Sequence, residues 1–511
     1  MLSKEDIEQI KKKGITEEDV KHQVEIFKRG FPSVDLAAPA TPGDGILVID
    51  EEQMANYEKK YEQDIGKYSV LKFIPASGAA TRMFKNVYQW IQKLKEGQAP
   101  DKLMEEDSSA KKFFERITDF AFWQDLSDVM GNNGLDALDC LENKDFLPLL
   151  EYMLEDKGLG YGSLPKGLLK FHKKNSFRRT AFEEHLVEGA LYGRNINGDV
   201  NIHFTVSPEH MELFKDHLNS VVKSYEKMYD VRYNIHFSIQ DPSTDTLAVD
   251  MDNKPFRVDS GELLFRPGGH GALINNLNNL EEDVIFIKNI DNVVPDRLKQ
   301  PTVQYKKIIG GVLIELQEEI HRLQEIIEKG DFSDKVYDEA VDFACTKLNF
   351  DRTLFQGQDE KGKERLCEML FSPLRVCGMV KNEGEPGGGP FWVYSEDKTR
   401  SLQIIEASQI NLDDPGQKEI FNNSTHFNPV DIVCGVKSWN GKKYDFKKYI
   451  DPETGFISHK SKDSRPLKAY ELPGLWNGAM AKWITVFVEV PVITFNPVKT
   501  INDLLRAEHI G

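Results

Sequence analysis

Apolar positions along this chain fall into short runs that alternate with helical stripes. "SVLKFIP" (69–75), "NIHFTVS" (201–207), "YNIHFSIQ" (233–240) and the start of "DVIFIKNIDN" (283–292) have strand length and strand composition. Between them "FFERITDFAFWQDL" (113–126), within a helical stretch 86–160, and "RTAFEEHLVEGALYG" (179–193) have helical spacing. "PEHMELFKDHLNSVVKSYEKMY" (208–229) has it too, and Pro208 sits near its first turn, where a missing N–H costs nothing. Strand followed by helix, repeated, predicts an open, mainly parallel sheet covered on both faces.

Beyond residue 300 the period changes twice. Residues 301–370 read as helical. Leu313, Leu316, Ile320, Leu323 and Ile327 step by three and four along one face. That seam is too short for a coiled coil and predicts a helix packed on its own domain. From about Arg375 the chain is strand-rich ("RVCGMV", "FWVYS", "LQIIEA", "DIVCGV", "WITVFVEV"), and "EPGGGP" (385–390) predicts a hairpin turn between the first two. Residues 1–65 read as a helical arm interrupted by the Pro/Gly-rich "APATPGDG" (38–45). The expected organisation is an arm, 1–65; an α/β core, 66–295, with a helical insertion 86–160; a helical segment, 296–370; and a mixed α/β half, 371–511. No internal repeat is visible.

Composition narrows the function classes. The 511 residues carry a formal net charge of −18, which disfavours coating nucleic acid or an anionic membrane. An anionic ligand must then be held by a local basic pocket. The five cysteines (Cys140, Cys345, Cys367, Cys377, Cys434) form no CxxC pair, which fits a reducing compartment. The polar start "MLSKEDIEQIKKKGI" lacks a signal-peptide core, and no run of about 18 apolar residues exists. A cytoplasmic protein, monomer or homodimer, is expected.

Four loops stand out. "PASGAATRMFK" (75–85) follows a strand and opens a helix, where free N–H groups and the helix dipole favour phosphate. Ser77, Gly78, Ala79 and Thr81 allow close backbone approach, and Arg82 adds a donor fork. The stretch reads equally well as a plain strand-to-helix turn. In "LPKGLLKFHKKNSFRRT" (164–180) six basic residues occur with no acid between them, and Lys166 lies between a proline and a glycine that fix its direction. Lys173 and Lys174 read as a solvated face. "DVIFIKNIDN" ends in Asp291 and Asn292, a place for a hard cation or simply a capping carboxylate. "LLFRPGGHGALINNLNN" (263–279) has three glycines around His270, more than a turn requires.

Taken in order, these stretches resemble the sugar-1-phosphate nucleotidyltransferases, most closely the UDP-sugar pyrophosphorylases, including UDP-N-acetylglucosamine pyrophosphorylase. The corresponding residues are Gly78 to Met83, Pro165–Gly167, Gln240, Gly269–His270–Gly271, Asp291–Asn292, Glu406 and "NNSTHFNPVD" (422–431). The whole chain, with "STHFNPVDIVC" and "LPGLWNGAMAKW", also looks like a bacterial family known as a domain of unknown function. The resemblance implies a glycosyltransferase-A-like nucleotidyltransferase fold, a mixed, mostly parallel sheet covered by helices, with helical insertions. It implies a Mg²⁺-dependent reaction of a nucleoside triphosphate with a sugar 1-phosphate, releasing pyrophosphate.

In that reading Arg82 holds the leaving pyrophosphate, Lys166 neutralises the reacting phosphates, and Asp291 binds Mg²⁺. Asp431 is the expected second ligand, with Asn428 next in line. Gln240, Gly269 and Gly271 read the base, His270 points toward the sugar or phosphate, and Glu406 accepts from sugar hydroxyls. One departure is Ala80, where the family carries glycine; a Cβ there is expected to crowd a close phosphate. Two other readings follow: a non-catalytic nucleotide-sugar binder, and a glycosyltransferase using the Asp-x-Asp of "DMDN" (250–253), although that piece reads better as a hairpin turn. Trp476 and Trp483 are expected in the core, with Asn477 and Gly478 lining the cleft.

Overall fold

The computed structural model describes residues 2–78, 80–174, 177–355, 360–385 and 387–510. They form two compact units, each gathered from distant parts of the chain. Both are α/β with packed helices, and the main sheet in each is mostly parallel.

One unit comprises Leu71–Ile239, Lys288–Lys306 and Ile493–Gly511. Its strands Val70–Pro75, Asp199–Thr205 and Arg232–Ser238 pair parallel in that order, with Leu71 opposite Asn201 and Asp199 opposite Arg232. The connections are helical, as parallel neighbours demand. Six short helices lie between Lys85 and Leu154. They close over an aromatic core in which Phe114 and Phe146 stack at 3.7 Å and Trp90 packs on Phe113 at 5.3 Å. The helix Ala181–Tyr192 starts with a capping box, Thr180 to Glu183 N and Glu183 to Thr180 N, and is buried around most of its circumference. It therefore lacks the one-sided stripe of a surface helix.

The other unit comprises Met1–Val70, Gln240–Ile287 and Lys307–Val492. Its strands run in the order Thr41–Pro42, Gly45–Leu47, Ile484–Glu489, Leu374–Lys381, His426–Gly435, Val284–Lys288. Leu374–Lys381 pairs parallel with Ile484–Glu489 and antiparallel with His426–Gly435. Two smaller antiparallel sheets accompany it, Leu36–Pro39/Gly389–Tyr394/Arg400–Ile405 and Phe265–Arg266/Thr246–Val249/Arg465–Glu471/Phe456–Lys462. The N-terminal residues thus hold three helices and, between them, three short strands.

The "EPGGGP" hairpin is corrected. Leu374–Lys381 and Gly389–Tyr394 lie in different sheets, and the real hairpin joins Gly389–Tyr394 to Arg400–Ile405. Its turn is closed by Ser395 N donating to Thr399 O, with Lys398 at φ 64°. The short polar turn "SEDKT" (395–399), not the glycine-rich joint, closes the hairpin. The seam on the long helix Lys299–Glu328 packs as expected: Leu313, Leu316, Ile320 and Leu323 are buried.

Candidate functional site

Each unit collects part of the expected site. In the first, the strand ending at Pro75 hands the chain to an exposed Ser77–Gly78 step, then a single turn Ala80–Arg82, then the helix Lys85–Lys95. Ala79 lies outside the described residues. Thr81 and Arg82 are exposed, whereas Ala80 is buried in the aromatic core beside Ala76 and Met83. The crowding expected from Ala80 is therefore corrected: its methyl packs inward, because the single turn directs that position at the core.

Lys166 meets this loop through its backbone, donating N–H to Gly78 O at 3.2 Å. Pro165 and the turn Lys166–Leu168 set its direction. A Cβ on Gly167 would lie 3.0 Å from the Phe214 ring, so glycine lets this turn sit flush on the core. The Lys166 ammonium donates to Asp291 Oδ2 at 2.8 Å and to Val498 O. Lys499 reaches the same carboxylate oxygen at 3.2 Å. Asp291 is buried, and burial alone would raise its carboxyl pKa; the two ammonium groups outweigh that and hold it below the usual range. The C-terminal segment is stitched in by Val498 N to Asp291 O, Asn496 N to Asn292 Oδ1 and Ile501 N to Met83 O.

The second unit holds the glycine loop and Glu406. Gly269 has φ +78°, a conformation that favours glycine. A Cβ on Gly271 would stand 2.1 Å from Pro473 O, so this glycine admits the backbone of 472–473. His270 stacks on Trp476, with ring centroids 4.3 Å apart, and its Nδ1 accepts from Leu475 N. Accepting there makes Nε2 the protonated nitrogen, and burial lowers the ring pKa to about 4, so the imidazole is neutral. The unusual glycine count thus serves the segment 471–477, whose role the sequence leaves open. Glu406 lines a cavity of about 430 Å³ with His426, Phe391 and Phe421. Burial raises its pKa, and Glu471 adds to the rise. Asn477 donates to Ile404 O at 3.0 Å and stands beside the same strand end. Trp483 is buried as expected. Gln240 is partly buried and donates to Thr244 Oγ1 at 3.2 Å.

Asp431 is buried in the strand His426–Gly435, opposite Gly378. Just before it Val430 adopts φ 60°, a strained conformation for a β-branched residue, and its N–H is held by Asn428 Oδ1 at 3.0 Å. The "DMDN" segment is a turn: Asp250 Oδ1 accepts from the N–H of Asp252 and of Lys254, and Asn253 has φ 63°. One oxygen of the Asp250 carboxylate is thus engaged by backbone, and the segment is the hairpin turn expected of it. Among the described residues no group of three or more His, Cys, Asp or Glu side chains is placed to hold a metal ion.

A family model described as "Domain of unknown function (DUF4301)" matches residues 3–510. The chain belongs to this DUF4301 family. Similar solved structures include a UDP-N-acetylglucosamine pyrophosphorylase from Trypanosoma brucei in complex with inhibitor. It is 13% identical, with 95% of this chain and 74% of that one covered, at a TM-score of 0.47. Another is a UDP-glucose pyrophosphorylase from Leishmania major, 12% identical over 98% of this chain and 77% of that one, TM-score 0.44. No curated protein matches the sequence. No helix among the described residues is long and apolar enough to cross a membrane.

Two participants in this DUF4301 chain escape sequence reasoning. Lys499 pairs with a carboxylate 208 positions away, and no acid beside it in "NPVKT" hints at a role. Glu471 lies near both Gly269 and Glu406 and sits in a strand that reads as ordinary.

Proposed function

We propose that this protein is a nucleotidyltransferase that joins a nucleoside monophosphate to a sugar 1-phosphate and releases pyrophosphate. The observation that carries the reading is the meeting of Lys166 and Lys499 on Asp291, with Lys166 bonded through its backbone to Gly78 in the exposed Ser77–Gly78 step. Two ammonium groups on one buried carboxylate form a reserve of positive charge that phosphate oxygens can take over. The nucleophile, a sugar-phosphate oxygen, is already ionised, so no general base is required. Positioning and charge neutralisation do the work.

In this proposal Lys166 and Lys499 turn to the reacting phosphates, and Arg82 with the backbone of Ser77 and Gly78 takes the departing pyrophosphate. Mg²⁺ would supply further charge neutralisation at the phosphates. It is commonly bound by one or two carboxylates plus phosphate oxygens and water, so Asp291 fits as a protein ligand once its lysines engage substrate. Glu406, held above its usual pKa by burial and Glu471, would meet sugar hydroxyls. The backbone of Gly269–Gly271 and Gln240 would face the base.

A non-catalytic nucleotide-sugar binder is the second reading. It is favoured by the two lysines that neutralise Asp291.

A thermal-shift panel of nucleoside triphosphates and nucleotide sugars, with and without Mg²⁺, tests binding. The proposal expects one nucleotide series to raise the melting temperature. In the Arg82→Ala variant the triphosphate should lose roughly tenfold in affinity, about the size of one charge-assisted contact, while sugar 1-phosphate binding changes little. Equal losses for both ligands would contradict the role given to Arg82.

A further inference from the structure

A basic cavity in the first unit is lined by none of the residues assigned above. It encloses about 530 Å³ and is lined by His172, Lys173, Lys174, Phe177, Arg179, Glu184, Pro295, Asp296 and Arg297. That volume is in the range of small-molecule sites. The wall is a β-hairpin, Lys170–Lys174 against Phe177–Thr180, and the opposite side is the turn Asp296–Leu298.

Its charges do not balance. Among the described lining residues, Lys173, Lys174, Arg179 and Arg297 face two carboxylates, Glu184 and Asp296, and the buried Lys299 stands behind Glu184. Both carboxylates are already neutralised within the network. Glu184 holds Lys299 at 2.7 Å and His172 Nδ1 at 2.9 Å, and Asp296 is paired with Arg179 and with Lys174, the latter at 3.3 Å. Lys173 donates to Thr118 O, and Arg297 to the carbonyls of Ala507 and Ile510, which carry no charge to offset theirs. A surplus of positive charge in a chain of net charge −18 concentrates anions locally.

The back of the cavity is a connected network of ion pairs and hydrogen bonds. Lys299, His172 and Arg179 hold Glu184 ionised with a pKa of about 2, although burial opposes this. An ionised Glu184 fixes the His172 proton on Nδ1. Nε2 then accepts from His509 Nδ1 at 2.9 Å, and His509 Nε2 faces Arg506 at 3.3 Å. Burial lowers the pKa of both rings, so this wall is neutral imidazole and adds no charge of its own. At the mouth, Phe177 is 60% exposed, and the buried Pro295 lines the cavity further in.

We infer that this cavity binds a small oxyanion, a phosphate or carboxylate group carried on a flat apolar body. The anion would engage Lys173 and Lys174, with the apolar part against Phe177 and Pro295. This site does not depend on the nucleotidyltransferase reading.

Isothermal titration of the full chain with phenyl phosphate, benzoate, inorganic phosphate and neutral benzyl alcohol tests it. The expected result is one-to-one binding of an aromatic anion that weakens with added salt, with benzyl alcohol silent. Lys174 is largely exposed, so Lys174→Met should fold and should weaken binding at least tenfold; Phe177→Ala should do likewise. Arg82→Ala should bind as the natural protein does. Tighter binding of phenyl phosphate or of benzoate assigns the head group. Failure of both aromatic anions to saturate, unchanged affinity in Lys174→Met, or loss of binding in Arg82→Ala would overturn the inference.

Discussion

At the scale of single residues, the carboxylate of Asp291 is where the account has most at stake. It is buried and held ionised chiefly by Lys166 at 2.8 Å, with the exposed Lys499 adding to this at 3.2 Å. Lys499 is mostly exposed, so its removal should not disturb folding. Lys499→Met is expected to leave the melting temperature nearly unchanged and to weaken triphosphate binding about tenfold, near the 1.5–3 kcal/mol of a charged hydrogen bond. An unchanged affinity by titration would show that Lys499 is only a surface partner. Lys166 was legible in the sequence because proline and glycine flank it. Asp291 was legible because it ends an apolar strand. Lys499 was not, because ion pairing across 208 positions leaves no local trace. Gly271 shows the same limit: its three-glycine setting advertised a close approach, but not that the approaching group is the backbone of Pro473.

At the scale of elements, the helix Ala181–Tyr192 anchors the first unit. Glu188 on that helix is fully buried and accepts from Lys72 at 2.7 Å and Lys288 at 2.9 Å. Burial, with the neighbouring lysines, depresses the Lys72 pKa to about 7, and Glu188 opposes the shift. Removing one member of such a buried group typically costs about 3–5 kcal/mol. Glu188→Gln should therefore lower stability by about that amount in urea unfolding; a loss under 1 kcal/mol would mean the lysines find equivalent partners. The parallel strands and their helices were readable from period alone, since burial on both faces leaves nearly unbroken apolar runs. The pairing around "EPGGGP" was not, because a glycine-rich joint does not say which strand follows it into the same sheet. The strain at Val430, held by Asn428 beside Asp431, was equally invisible in the sequence.

At the scale of the whole molecule, buried histidines make the fold sensitive to acid. Burial is the leading cause of depressed pKa values at His270 and His203, both about 4, and at His172, His185, His321 and His509. Folded, these rings are neutral; unfolded, they take protons below about pH 6.5. The unfolded chain then binds more protons, so stability is retained above that pH and falls as pH drops toward 4. Asp6 and Glu184, both held near pKa 2, add a further loss below about pH 4. A thermal melting series should show a clear drop between pH 7 and pH 4.5, reduced in His270→Gln. A flat profile would mean the histidines already titrate normally in the folded state.

The central claim is that the lysine-clasped carboxylate and the loop 77–82 form a phosphate-transfer site. Exchange of labelled pyrophosphate into nucleoside triphosphate, with Mg²⁺ and the matching nucleotide sugar, measures that directly. The account predicts exchange by the natural protein and its loss, at least a hundredfold, in a folded Asp291→Asn variant. Undiminished exchange in that variant, or none in the natural protein across the nucleotide-sugar panel, would contradict it.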